Sequence, residues 1–182
     1  MELLKSIRIK TGTVILRRRA SDSRRKTVFG NFSAVKTIGI VWNSANSEDF
    51  KTLAAFHQQM TERNIEVHVI GYYDGKNLPD RYTAIRYLTC IRKHEVNMFY
   101  IPISNDARDF MNKKFDVLID INFEKIFPLS YITVMSKALF KAGLFEQENP
   151  LAPFDLMMEI KKPAAVDNYL KQIIQYLEMI NA

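Results

Sequence analysis

The chain has one cysteine, three histidines, one tryptophan and six glycines in 182 residues. A single thiol cannot close an internal disulfide, which excludes a cross-linked secreted scaffold. His57, His68 and His94 stand far apart, and none forms H-x-x-x-H or H-E-x-x-H, so no metal is expected. No apolar run approaches the length of a transmembrane helix. Val14-Ile15-Leu16 is the longest apolar run near the N-terminus and ends in Arg17-Arg18-Arg19, which does not fit a secretory signal. A reducing, cytoplasmic setting is the expectation.

Glycine is missing where a nucleotide would need it. The loop after the first apolar run is Asn43-Ser44-Ala45-Asn46-Ser47, followed by Glu48 and Asp49. Without glycine the backbone cannot approach a pyrophosphate, and the two acids repel one. The stretch from Gly71 to Asn77 has three residues between its glycines where a P-loop has four, and Asn77 replaces the magnesium-binding hydroxyl. A phosphoacceptor receiver fails for lack of acids after the first run. No serine sits in a G-x-S-x-G elbow. Asp116 and Asp120 would lie roughly 13 Å apart along a strand, too far for a retaining carboxylate pair. No cofactor is expected.

The remainder is ordinary for a globular protein: 47% hydrophobic and 25% charged. The charge, however, is uneven. Residues 1–36 hold ten Lys or Arg and two acids, a net +8, whereas the other 146 residues carry −2. The pI near 9.4 therefore describes a basic arm on a near-neutral body. Residues 1–36 are read as a basic helix over about 2–19 plus a polar connection, and residues 37–182 as one α/β domain. The favoured placement packs the Leu/Ile stripe of the arm against the body, with arginines outward.

From Thr37 onward apolar β-branched runs alternate with helical patterns. Strands are expected over 37–42, 65–73, 98–103, 116–122 and 155–160, with an edge strand at 139–144. Helices are expected after Ser47 as N-cap, over 82–93, from Ser104 to about 112, from 127 to about 137, and from Val166 to the C-terminus. Residues 149–153 read as a Pro-bearing loop. The pattern implies a three-layer, Rossmann-like or flavodoxin-like α/β fold, with five or six mostly parallel strands and helices on both faces.

In such a sheet ligands bind beyond the carboxyl ends of the strands. The candidate ligand-binding residues there are Asn43, Ser44, Ser104, Asn105, Asp120 and Asn122. Tyr72, Tyr73, Tyr82 and Tyr87 cluster near the second strand, where they could line a pocket for a ring or cover the sheet edge; the core reading is favoured. The candidate anion- or partner-binding residues are Arg17, Arg18, Arg19, Arg24 and Arg25.

Residues 36–43 (KTIGIVWN), 115–145 (FDVLIDINFEKIFPLSYITVMSKALFKAGLF) and 154–160 (FDLMMEI) resemble an uncharacterised family of small Bacteroidota proteins, a domain of unknown function with a Rossmann-like fold. That resemblance implies the fold and no catalytic residues. Residues 115–143 are also faintly similar to the acceptor domain of heptosyltransferase-like glycosyltransferases.

The leading expectation is a non-catalytic protein that binds a partner or small ligand at the carboxyl edge. One alternative is a small enzyme, glycosyltransferase-like, using Asp120, Asn122 and Asn43. The other is an adaptor touching anionic lipid or nucleic acid through the basic arm. Peripheral membrane contact suits that arm better than nucleic acid, because no aromatic interleaves its charges before Phe29.

Overall fold

The computed structural model describes residues 2–22, 25–145, 153–160 and 165–180. Its centre is a six-stranded sheet in the order β3-β2-β1-β4-β5-β6. The strands are β1 (Thr37–Asn43), β2 (Glu66–Tyr73), β3 (Leu88–Arg92), β4 (Val117–Asp120), β5 (Phe140–Leu144) and β6 (Leu156–Met158). Every neighbouring pair is parallel, as the alternation of strand and helix patterns implies. β1 and β4 are the apolar runs of the sequence and pair in the middle, with Ile40 opposite Ile119. β5, expected at an edge, lies inside, because β6 covers it.

The helices are α1 (Glu2–Asp22), α2 (Asp49–Glu62), α3 (Asp80–Thr83), α4 (Asn105–Asn112), α5 (Phe127–Met135) and α6 (Val166–Met179). α2 and α6 pack together on one face, closing a core that includes Ile38, Ile40, Trp42, Leu53, Met60, Ile173 and Leu177. α4 and α5 cover the other face, over Val41, Ile70, Phe115, Leu118 and Ile132. α1 lies outside α5 as a partial extra layer through Leu16, Ile101 and Tyr131. The connection that follows α1 joins the same core: Phe29 packs on Phe140, and Phe32 is buried.

Three local expectations fail for physical reasons. The segment from 82 to 93 is a short helix and then a strand, since residues 88–92 complete the edge of β2. The expected strand at 98–103 is a turn. Asn97 Oδ1 accepts the backbone N–H groups of Phe99 and Ile101, and only Val96 and Pro102 form a bridge. An Asx-type turn has taken the donors a strand would use. At α2 the cap position is Glu48, with no side-chain cap, rather than Ser47.

The arm packs differently from its expected register. Leu3, Leu4, Ile7 and Val14 face outward, and the buried contacts come from Gly12 and Leu16. Gly12 permits the approach. A Cβ there would stand 2.5 Å from the Phe99 carbonyl oxygen and 2.8 Å from the Phe127 ring. Burying Leu16 supplies about 1.5–3 kcal/mol, which the outward leucines do not add to the fold.

Candidate functional site

The strand order turns outward from β1 in both directions, so β1 and β4 flank the topological switch point. The helices that follow these strands diverge there and leave a crevice at the carboxyl edge. Asn43 ends β1 and is held by its own turn: its Oδ1 accepts the Ala45 N–H at 3.2 Å, and its carbonyl accepts the Asn46 N–H. The parallel register sets Asn43 beside Tyr72. A cavity of about 240 Å³ opens over this pair. Lys5 and Ile9 of α1 line it, with Asp74, Tyr100 and residues 125–128.

Two features of this cavity are costly to the fold. The Tyr72 hydroxyl is buried with no hydrogen-bond partner among the described residues. Burial, followed by the nearby Asp74 and Tyr100, pushes that phenol well above its usual range. Tyr100 is held at φ 61°, a left-handed conformation that costs a non-glycine residue about 1–2 kcal/mol. Asn64 shares that geometry, but it follows α2, where asparagine is a normal helix stop. Tyr100 has no such excuse, and unrelieved strain concentrates at functional sites. We expect Tyr100→Gly to raise the unfolding free energy by about 1 kcal/mol, measured by urea denaturation, while stripping a ring from the cavity. A destabilised variant would show that the ring's packing outweighs the strain.

Asp120 and Asn122 lie next door, lining a smaller cavity of about 50 Å³. Lys125 and Ile126 line both spaces. Asp120 is deeply committed. Its Oδ1 accepts Asn122 N at 3.0 Å and Asn122 Nδ2 at 2.6 Å, and its Oδ2 accepts Thr133 Oγ1 at 2.6 Å. Asn122 Nδ2 also donates to the Val41 carbonyl. The carboxylate thus pins the β4–α5 loop to α5 and, through Asn122, to β1.

The chain belongs to the family of unknown function DUF6913. The match covers residues 8–180. No curated protein matches it. Family membership assigns no role to any residue.

The other candidate residues are placed apart from the cavity. Ser44 is buried under the sheet edge, against Gly71 and Cys90. Burial pushes the Cys90 thiol up to about 11, so it stays protonated near neutral pH. Ser104 caps α4 through the Ala107 N–H, and Asn105 is the exposed first residue of that helix. Neither lines a cavity with Asn43 or Asp120.

Among the arginines, Arg17 and Arg18 are exposed. Arg19 donates to the Tyr131 hydroxyl at 2.6 Å. Arg24 and most of the expected loop 149–153 lie outside the described residues. Arg25 is engaged within the fold, paired with Asp155 and donating to the Leu139 and Pro153 carbonyls.

Sequence reasoning missed Lys5, Tyr100 and Lys125 as cavity residues. Tyr72 carried a usable signal, as the polar end of an apolar run beside Asn43. Lys5 and Tyr100 carried none, because tertiary packing alone brings α1 and the turn after Asn97 to this edge.

Proposed function

We propose that this protein binds a small anionic ligand with an apolar part in the cavity at the β1/β4 switch point. The observation that carries the reading is the coincidence of that cavity with an orphaned Tyr72 hydroxyl and a strained Tyr100. The lining supports the class of ligand. Lys5 brings positive charge, Asn43 an amide, and Ile9, Ile126, Phe127 and Pro128 an apolar wall. Asp74 is already paired with Lys93 at 3.1 Å. At about 240 Å³ the space falls below the usual range for drug-sized ligands, which favours a small metabolite over a dinucleotide.

Binding is preferred to catalysis because of Asp120. A transferase reading, glycosyl transfer included, would turn this carboxylate toward a substrate, yet both its oxygens already accept short hydrogen bonds within the fold. Breaking them would release the loop that shapes the cavity.

Thermal unfolding in a panel of small aromatic and aliphatic carboxylates and phosphates tests the reading. A true ligand at about 100 times its Kd adds roughly 2.7 kcal/mol. That gain is expected to shrink in Tyr72→Phe and in Lys5→Glu. A panel without effect, or stabilisation undiminished in both variants, would refute it.

A further inference from the structure

We infer that the outer face of α1 docks on an anionic lipid surface. At 3.6 residues per turn, Leu3, Ile7, Val14 and Arg18 fall within roughly 60° of one another, with Leu4 at the border. Leu3, Leu4, Ile7 and Val14 are between 52% and 74% exposed. Leu16 lies on the opposite side of the helix and is buried against Tyr131. α1 therefore has two apolar sides. One is spent on the fold, and the other is more than half exposed and joins none of the core clusters.

Charge selects the occupant. α1 carries six Lys or Arg against Glu2 and Asp22, and Arg8, Lys10, Arg17 and Arg18 are exposed around the stripe. A second copy would set like charges face to face. Nucleic acid would accept the charges but leave the aliphatic side chains in water. A surface of anionic lipid takes both, with the aliphatic groups in the headgroup boundary and the cations at the phosphates. No described helix is long and apolar enough to cross a membrane, so this contact is one of lying on the surface. The stripe and the ligand cavity are on different sides of α1, so this inference stands apart from the ligand reading.

Co-sedimentation of the full chain with vesicles tests it, comparing pure phosphatidylcholine with a mixture holding about 30% phosphatidylserine. Binding to the mixed vesicles alone is expected, weakening at least about tenfold between roughly 0.1 M and 0.5 M salt. Ile7→Glu with Val14→Glu is expected to abolish it with little change in the thermal midpoint, since both side chains are more than half exposed and outside the core clusters. Arg17→Glu with Arg18→Glu is expected to weaken it at least about tenfold. Failure to bind the mixed vesicles overturns the inference. So does binding that survives Ile7→Glu with Val14→Glu, a dimer in sedimentation velocity broken by that pair, or duplex DNA bound as tightly as the vesicles.

Discussion

Arg25→Ala is expected to lower the unfolding free energy by about 3 kcal/mol near neutral pH, read from urea denaturation. Arg25 reaches across the end of the sheet. Its Nη1 donates to the Leu139 carbonyl at 2.9 Å and pairs with Asp155 Oδ2 at 2.8 Å, and its Nη2 donates to Asp155 Oδ1 at 2.8 Å. The two side chains are only 19% and 15% exposed. Truncating the guanidinium strands a carboxylate that the fold has largely taken out of water, and that loss exceeds the net worth of the pair itself. Burial pushes the Asp155 carboxyl up. Hydrogen bonds from Arg25, the Lys141 N–H and Thr27, with the Arg25 charge, overcome this and hold it below its usual range. The sign follows. The contribution is full above about pH 4, the unfolded value, and fades as acid carries Asp155 through its lower folded value. The gap between wild type and variant should narrow accordingly. A loss under about 1 kcal/mol, typical of a surface pair, would show that the clamp does not hold the arm's connection to the sheet.

Lys141→Met is expected to abolish a rise of stability with pH that the wild type shows between about 7 and 9. Lys141 is 1% exposed, and its ammonium donates to the Thr133 and Val134 carbonyls at 2.7 and 3.0 Å. It thus serves the carboxyl end of α5 from beneath, where the helix dipole favours a cation. Burial, helped by the Arg25 charge and opposed by Asp155, nonetheless lowers its pKa to about 7. The unfolded lysine keeps its proton to about 10.4. Between these values the unfolded chain binds more protons, so raising the pH favours the native state by up to about 1.4 kcal/mol per unit. Methionine keeps the apolar stem and removes the charge. At pH 6 the variant should be the more stable by about 1–3 kcal/mol, despite two carbonyls left without their donor. The window stops at about pH 9 because above it the Cys90 thiol, pushed up to about 11, begins to act with the opposite sign. Parallel stability–pH curves for the two proteins would remove Lys141 as their origin.

These two residues show how unevenly the sequence can be read. Arg25 looks like one more charge in a basic run, and Lys141 interrupts an apolar strand without announcing that it is buried. Nothing local distinguishes Arg25 from Arg17 or Arg18. Its role depends on Asp155, 130 positions away. The candidate site divides in the same manner. Asn43 and Asp120 were legible because polar residues that end buried strands must lie at the carboxyl edge of a parallel sheet. The Asn122 and Thr133 donors that occupy Asp120, and the arrival of Lys5 and Tyr100 over Asn43, could not be inferred from spacing.

The layered architecture is written in local patterns. β1, β4 and α6 each carry a hydrophobic pattern that only one regular structure can bury, so local order and global fold agree there. Which side of an ambiguous segment faces inward is set by long-range packing. Residues 88–92 fit a helical period until β2 offers an unpaired edge. α1 has aliphatic side chains on two faces, and the missing side chain of Gly12 selects the one that packs. Edge pairing and close backbone approach depend on partners distant in the chain, and periodicity cannot register a partner it does not contain.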